Sequence, residues 1–379
     1  MFTFHEFFAG GGMARAGLGS TWKCLFANDF DRKKAETYRD NWGDGEIVVG
    51  DIRTLSAESI RGCADLAWGS FPCQDLSLAG GGAGLKGDRS GTFWPFFKHM
   101  GALIEGGRAP KIIALENVVG TLTSHGGKDF AAICGAFRNV EYRCGAVVID
   151  AALFVPQSRP RLFVIGVCDE VELPHAVSGA GPSQPWHTAS LQRAHMTLSP
   201  ELKANWLWWR LPVPEARKEV FAELIEESPD SVAWHSPAET AQLLAMMSPV
   251  NLRKVEAAKK LGRRSVGTIY KRTRVEHGVK HQRAEVRFDD IAGCLRTPAG
   301  GSSRQLILVV DGEKVRSRLI SSRETARLMG LEEGYRLPGG YNEAYHLTGD
   351  GVAVQVVTHI ARHIFEPILA GVRQGKSAA

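Results

Sequence analysis

The chain has 379 residues, a formal net charge of +5 and 44% apolar residues, enough to bury a full core in one large domain or two. No apolar run is long enough to span a bilayer, and residues 1–6 lack the basic-then-apolar pattern of a secretory signal, so a cytoplasmic protein is expected. Seven cysteines, an odd count without a single C-x-x-C pair, suggest neither a disulfide framework nor a zinc site, and a reducing compartment suits a reactive thiol.

Residues 2–8 form a strand-like run that ends in Ala9-Gly10-Gly11-Gly12-Met13, a glycine turn that opens a helix. Strand, glycine turn and helix in this order are the layout of a nucleotide-type cofactor site, although such a turn can also simply be tight. Residues 23–27 predict a second strand, ending in Asn28-Asp29-Phe30. An acid at the second strand end, about 20 residues after the turn, is placed to accept hydrogen bonds from ribose hydroxyls. Phe30 beside it suits an adenine face. Asp29 equally suits the N-cap of a helix over 31–38. Residues 47–49 predict a third strand, after which Asp51 and Ile52 suit an adenine amino group and ring. Three successive strand ends thus carry cofactor-like groups.

The fourth strand, over 64–68, leads into Gly69-Ser70-Phe71-Pro72-Cys73-Gln74-Asp75. Proline fixes φ and restricts its neighbour, so the Cys73 thiol sits on constrained chain past a strand end, where open α/β sheets build their sites. A free cysteine is more usually a buried structural residue. The glycine-rich stretch 79–92 precedes a helix at Phe93 and predicts a loop that closes over a substrate. A fifth strand over 111–115 ends in Glu116-Asn117-Val118. A carboxyl in this apolar setting is expected to stay protonated and serve as a hydrogen-bond donor or general acid, with an ion pair or helix cap as the structural alternative. Residues 142–153 and 161–167 predict two more strands, joined through Gln157-Ser158-Arg159-Pro160-Arg161. Arginines two apart on extended chain point the same way, so Arg159 and Arg161 are expected to grip a base carbonyl and a phosphate together.

Near Cys168 the alternation of strand and helix stops, and the Gly/Pro/Ser-rich stretch 179–185 marks a boundary. Trp206, Trp208 and Trp209 cluster with leucines and predict packing. Helices are expected over 216–227 and 237–247. Residues 253–287 hold twelve Lys/Arg against three acids, a net +9, which leaves the rest of the chain at −4. Such a block, interleaved with Tyr270, His277 and His281, fits a polyanion. The loop 297–304 extends that surface. Residues 319–330 predict a capped helix, with Ser322 as N-cap and Gly330 as its stop. Thr348-Gly349-Asp350-Gly351-Val352 is a glycine turn before a long helix through Ile368.

Taken together these segments resemble the DNA (cytosine-5)-methyltransferase family. The motifs Phe-Ala-Gly-Gly-Gly (8–12), Asn-Asp-Phe (28–30), Gly-Asp-Ile (50–52), Phe-Pro-Cys-Gln (71–74), Glu-Asn-Val (116–118), Gln-Ser-Arg-Pro-Arg (157–161) and Arg-Glu-x-x-Arg-Leu-x-Gly (323–330) occur in family order. The resemblance implies an α/β fold: a Rossmann-like methyltransferase core, a mostly parallel sheet with helices on both faces, plus a smaller, irregular target-recognition domain. It implies a catalytic domain over 1–167, a recognition domain over 168–317 and a return segment over 318–379. S-adenosyl-L-methionine is the implied cofactor, held by Phe8, Ala9, Gly10, Gly12, Asp29, Phe30, Asp51, Ile52, Pro72, Asp350 and Val352. Cys73, Glu116, Arg159 and Arg161 are the implied catalytic residues: the nucleophile toward C6 of a flipped cytosine, the holder of N3 and the exocyclic amine, the residue that orients the catalytic loop, and the contact to O2. Double-stranded DNA, bound through 253–287 and 297–304, is the implied partner of a monomeric, nucleoid-associated protein of bacterial or phage origin that does not require a cognate restriction endonuclease.

Two positions depart from the family pattern. Asp350 stands where the family has Asn, and Asp29 where Glu is common; the first puts fine cofactor geometry in question. A transfer-RNA cytosine methyltransferase shares these motifs but normally has a short central region. A non-catalytic DNA-binding module and a nicotinamide oxidoreductase are the remaining alternatives.

Overall fold

The structure, a computed structural model, describes residues 1–72, 85, 90–276, 278–297 and 304–378. Seven strands form its main sheet: β1 (Phe2–Phe7), β2 (Trp22–Asp29), β3 (Ile47–Val49), β4 (Leu66–Gly69), β5 (Ile112–Val118), β6 (Tyr142–Asp150) and β7 (Pro160–Cys168). Their order is β3-β2-β1-β4-β5-β7-β6. The first five pair in parallel, whereas β7 runs antiparallel to both β5 and β6. β4 is buried throughout and β5 nearly so, the signature of strands covered on both faces. All seven expected strands form, with ends within three residues of those read from sequence. Helices α1 (Met13–Leu18), α2 (Arg32–Trp42), α3 (Phe93–Glu105) and α4 (Lys128–Asn139) connect them. An aromatic-rich core lies under α3 and α4, with Phe7, Phe96, Phe97 and Phe137 in successive edge-to-face contact.

The chain divides into two compact units, Met1–Asp150 with Pro160–Glu215 and Val352–Ala379, and Ala151–Arg159 with Ala216–Gly351. Sequence placed the divisions at 167 and 317, and both differ. Residues 168–215 join the first unit because their tryptophans pack there. A two-stranded ladder of β8 (Ser178–Gly179) and β9 (Trp208–Trp209) follows β7, along with α5 (Ala189–Met196) and α6 (Pro200–Ala204). The Leu207 amide donates to the Cys144 carbonyl at 2.9 Å, and Trp206 stacks edge-on to Phe130. The tryptophans are packing residues, as expected.

The second unit is built on α7 (Pro237–Ala245), α8 (Pro249–Lys260) and four antiparallel strands. These are β10 (Ser265–Glu276), β11 (Val279–Arg287), β12 (Leu306–Asp311) and β13 (Lys314–Leu319), in the order β11-β10-β12-β13. Leu243, Met247, Val255, Ile269, Val286 and Leu308 form its core. Two helices complete it, α9 (Ser322–Leu328) and α10 (Tyr341–Asp350). The helix expected over 216–227 does not form; only a 3₁₀ turn, Phe221–Leu224, is present. Tertiary bonds hold that stretch extended: Arg217 donates to the Ala152 carbonyl and the Glu226 amide to Glu324. The cap of α9 is Ser321 rather than Ser322, in a reciprocal capping box with Glu324.

Residues 318–351 join this second unit for an electrostatic reason. Arg318 and Glu324 have fully buried side chains, joined by bidentate bonds of 2.8 and 2.6 Å. Glu324 also accepts the Ser321 and Glu226 amides, each at 2.7 Å. In the first unit, α11 (Val354–Ile360), a π-helical turn and α12 (Glu366–Ala378) form the C-terminal helix. α1 lies against α11 at Gly17, where a Cβ would meet Val357 Cβ at 2.5 Å and the Val354 carbonyl at 2.6 Å.

Glu324→Gln leaves the Arg318 charge buried without a counter-ion, and urea unfolding should show a loss of about 3–5 kcal/mol. An unchanged midpoint would remove this ion pair as the organiser of α9.

Candidate active site

Parallel pairing brings the carboxyl ends of β1 to β5 to one edge of the sheet. There Asn28 Nδ2 donates to the Val48 and Gly50 carbonyls at 2.9 and 3.0 Å, tying the end of β2 to the end of β3. Asp29 is buried, and its two oxygens divide their tasks: Oδ2 accepts the Gly10 amide at 2.7 Å and Oδ1 the Asp31 amide at 2.8 Å. Burial pushes its pKa up, although Lys34 and these two amides oppose the shift. The cap of α2 is Asp31, not Asp29. Phe30 is 71% exposed at the same strand end.

The glycine turn is shaped by more than one cause. Phe8 and Gly10 both take left-handed φ, 57° and 55°. A Cβ on Gly10 would meet nothing within 4 Å, so the space beside it is open. On Gly12 a Cβ would lie 2.3 Å from Trp42 Nε1, whose N–H donates to the Gly11 carbonyl. The two glycines therefore do different things. Gly10 faces open space; Gly12 makes room for a tryptophan. Ala9 is buried and its amide donates to the Asn28 carbonyl at 2.9 Å. Asp51 is held by Arg53, which pairs with its carboxylate at 2.6 Å and lowers its pKa. Ile52 is a core residue, and its carbonyl accepts from His99. Val352 is buried in the first unit, and Asp350 is exposed at the end of α10 in the second.

The reversed strand β7 explains the next pair. Val118 lies opposite Arg161 and Glu116 opposite Phe163, so Glu116 and Arg161 are diagonal neighbours on one face of the sheet. Arg161 Nε reaches Glu116 Oε1 at 3.0 Å, and both side chains are largely buried. Sequence placed a protonated acid here. An ion pair was the structural alternative, and a guanidinium is the partner found. One residue on, Asn117 Nδ2 donates to the Phe71 carbonyl at 3.1 Å and ties the end of β5 to the chain leaving β4. Pro72 is half-buried there. Cys73, with most of the stretch 79–92, lies outside the described residues, as do His277 and most of the loop 297–304.

Arg159 is held by contacts within the second unit. It is buried in the second unit, where it donates to the carbonyls of Leu295 at 3.1 Å, Gly349 at 2.8 Å and Gly351 at 2.6 Å. It therefore joins the 294–295 loop to the 349–351 turn. The intervening Pro160 opens β7, so the two side chains do not belong to one extended run. The basic block resolves into α8 and the β10–β11 hairpin, whose residues 272–275 and 278–282 are exposed.

Two groups escaped sequence reading. Glu6, in the apolar strand β1, is fully buried; its Oε1 accepts the Arg15 amide at 3.3 Å, and its Oε2 has no partner among the described residues. Burial pushes its pKa up to about 8. An acid at an inward strand position was the available signal. Asp129, in the first turn of α4, accepts from Ser124, from His125 at 2.8 Å and from the Leu85 amide at 3.4 Å. The Ser-His-Gly-Gly run before it was the clue to a strained turn.

Five parallel strands, a reversed seventh strand and acid-bearing strand ends define a Rossmann-like methyltransferase fold. The comparisons give the family. A family model described as C-5 cytosine-specific DNA methylase matches residues 2–366, and the chain belongs to that family. Type II methyltransferase M.NgoFVII of Neisseria gonorrhoeae is 36% identical over 159 residues, 41% of this chain and 40% of that protein, so this match spans well under half of the relative. M.HhaI of Haemophilus parahaemolyticus is 23% identical over 95% of this chain and 93% of its own. Among solved structures, the Dnmt2 methyltransferase of S. pombe matches with a TM-score of 0.59 at 17% identity, covering 97% of this chain and 99% of that one. The Entamoeba histolytica methyltransferase EhMeth matches with a TM-score of 0.64 at 12% identity, covering 97% and 98%. At these identities the structural likeness shows the fold alone. No helix among the described residues is long and apolar enough to cross a membrane.

Two outcomes follow from this geometry. The Glu6 pKa is raised from 4.5 to about 8, so the folded state binds a proton that the unfolded state has lost. Stability should fall as pH rises between those values and level off above the upper one. Glu6→Gln should flatten this slope in urea titrations at several pH values, and an unchanged slope would assign it elsewhere. Arg159→Met strips three buried carbonyls of a charged donor and should cost about 3 kcal/mol or more. Arg159→Lys should recover only part of that, since a single ammonium cannot span all three acceptors.

Proposed function

We propose that this protein is a site-specific DNA methyltransferase that moves a methyl group from S-adenosyl-L-methionine to C5 of a cytosine flipped out of the duplex. The observation that carries this reading is the Glu116–Arg161 pair, 3.0 Å apart at the sheet edge that also holds Phe71, in a chain of the C-5 cytosine-specific DNA methylase family. An acid and a guanidinium side by side match the edge of cytosine, which offers N3 and an amine next to O2.

The residues of the glycine turn fit the cofactor. Each Asp29 oxygen accepts one amide and keeps a second lone pair for a ribose hydroxyl. Phe30 offers an exposed ring for adenine, Gly10 borders open space, and Phe8 and Ala9 lead into that turn. Gly12 contributes by shaping the turn. Asp51, Ile52, Pro72, Asp350 and Val352 complete the proposed set, Ile52 as part of the apolar floor. When bound, S-adenosyl-L-methionine supplies an electrophilic methyl group.

The protein's own part is to turn C5 into a nucleophile. The Cys73 thiolate adds to C6, and the ring electrons move toward C5, N3 and O2. Arg161 leaves Glu116 for the base O2 as the cytosine enters. Deprived of its counter-ion, the Glu116 carboxyl takes a proton from water, lends it to N3 as the thiolate adds, and accepts from the exocyclic amine. Once C5 carries the methyl group, its proton passes to water, the released pair re-forms the C5–C6 double bond and expels the thiolate, and N3 returns its proton to Glu116. Arg159 acts at a distance, fixing the turn that bears Asp350.

Duplex DNA is the proposed substrate. Arg272, Arg274, Lys280 and His281 lie on the exposed part of the β10–β11 hairpin, and a two-stranded ribbon fits the major groove. The loop 297–304 and the rest of the block 253–287 contribute phosphate contacts. The protein works as a cytoplasmic, nucleoid-associated monomer and does not require a restriction partner.

Transfer of tritiated methyl from the donor to duplex DNA, with transfer RNA in parallel, tests the substrate; incorporation into RNA alone would overturn the DNA assignment. Cys73→Ala should lower turnover at least about a thousandfold, and Glu116→Gln by about 10²–10³-fold. DNA affinity should fall steeply with salt, and neutralising Arg272 and Arg274 should make that slope shallower by close to one per lost phosphate contact.

A further inference from the structure

The register of the β10–β11 hairpin sorts its side chains onto two faces. Residues paired directly across a ladder point the same way, and the direction alternates along each strand. Tyr270 opposite Glu285, Arg272 opposite Arg283 and Arg274 opposite His281 therefore share one face. Lys271, Thr273, Val275, Lys280 and Gln282 share the other. At the base of the hairpin this second face is covered, where Ile269, Ala284 and Val286 pack with Leu243, Met247 and Val255. The first face has a different neighbour. The Tyr270 hydroxyl donates to the Cys294 carbonyl at 3.2 Å and to Gln305. Ala292 exchanges backbone bonds of 2.8 Å with Pro156 and Ser158, and the Leu295 carbonyl accepts from Arg159. The arginine face thus lies on the side of the unit that carries 156–159, the residues just ahead of Arg161 in the chain.

An acid stands among these cations. Glu285 Oε1 accepts from Arg274 Nε at 2.7 Å and pairs with its Nη2, and Glu285 Oε2 lies 3.6 Å from Arg272 Nε. Arg272 is also held by Tyr270, with its guanidinium carbon 5.8 Å from the centre of the ring. That ring is fixed in turn by its two hydroxyl bonds and by Gly293, where a Cβ would lie 2.7 Å from Cζ. On a face turned to a polyanion a carboxylate lowers affinity, because it repels phosphate and occupies cationic donors. What it supplies is geometry. With Nε and Nη2 turned to Glu285, Arg274 presents the outer edge of its fork. A pair of N–H groups on such an edge matches O6 and N7 of guanine in the major groove.

We infer that Glu285 is a specificity-determining positioning residue: it holds Arg272 and Arg274 as a fixed fork that reads a guanine, and it keeps the same arginines from settling on phosphate. The inference rests on the reading of duplex DNA as the substrate. The recognition sequence then contains a guanine outside the target base pair, and the arginine face of the hairpin reads it. Discrimination comes from two terms, an added contact with the right base and a penalty on the sequence-independent contact.

The test uses the full-length protein on a pool of duplexes randomised around a cytosine, with methylated positions read by bisulfite sequencing. Filter binding to a duplex that lacks the preferred sequence is measured beside it. The wild-type profile should contain at least one fixed guanine beyond the target pair. Glu285→Gln should lower the preference at that position about tenfold or more, while binding to the unrelated duplex tightens severalfold. Arg274→Lys keeps the charge and removes the fork, so it should lose the same preference with unrelated binding within about twofold of wild type. It also keeps the test decisive if Glu285→Gln fails to fold. Lys280→Gln, on the opposite face, should weaken binding and leave the base profile as it is. An unchanged profile in both Glu285→Gln and Arg274→Lys would overturn the inference, as would a profile altered by Lys280→Gln alone. Weaker unrelated binding by Glu285→Gln would also overturn it, because the acid would then serve the ribbon's fold rather than oppose phosphate. Failure of the underlying reading looks different: the wild-type protein would methylate no duplex in the pool.

Discussion

β7 is inserted antiparallel between β5 and β6, and most of the site geometry depends on that reversal. In a wholly parallel sheet the first residues of β7 would lie at the amino-terminal edge, far from the strand ends where sites form. Reversed, β7 begins at the carboxyl edge. Arg161 then comes level with Val118 and diagonal to Glu116. Strand direction therefore brings together two charges that are 45 residues apart in the chain, and no loop has to be trained across the edge to do it. The ion pair is largely buried, so it holds each side chain in place until a competing partner arrives. In the proposed reading a cytosine edge is that partner, since it offers a separate acceptor or donor to each group.

The cofactor edge is organised by carboxylates as much as by glycines. Asp29 receives the Gly10 amide and the Asp31 amide, so it sets the turn after β1 against the entry to α2. Glu6 lies beneath and accepts the Arg15 amide inside α1. A second ionised acid so close would repel Asp29. Burial keeps Glu6 neutral up to about pH 8, which removes that conflict while leaving it an acceptor. The departure from the family at position 350 is milder than its charge implies, because Asp350 is exposed and the turn around it is gripped by backbone carbonyls bonded to Arg159.

The main sheet was legible because each strand is a short apolar run stopped by glycine, proline or a polar cluster, and parallel buried strands leave that signature. The candidate site residues at strand ends drew notice for the same reason: the stop signal and the polar group are adjacent. What could not be read was anything decided by direction or by tertiary competition. Nothing in residues 160–168 announces that β7 runs backwards, so Arg159 and Arg161 looked like one grip. Residues 216–227 have a helical pattern, yet the bonds from the Arg217 side chain to Ala152 and from the Glu226 amide to Glu324 outweigh the local preference. Gly12 looked like its neighbour Gly10 because sequence does not show that Trp42 occupies the space. Asp129 was hidden for a similar reason, since its partner Leu85 lies 44 residues upstream.

The hairpin of the second unit separates stability from recognition along its own length. Near its base, Ile269, Ala284 and Val286 pack into the core, and those positions are fixed by volume. Toward its tip, residues 272–275 and 278–282 are exposed, so no core packing constrains their identity. An isolated ribbon is marginal in water, and this one is secured by its paired and buried base. Substitutions at the tip therefore change the charges and hydrogen-bond donors presented to a groove at little cost in folding. Arg272, at 3.6 Å, and Arg274 already share Glu285 within the ribbon, which keeps the guanidinium groups extended along one face. A phosphate or a guanine edge would have to compete with that single carboxylate for two cations. In the proposed reading, that competition sets how much of the pair's charge reaches the nucleic acid.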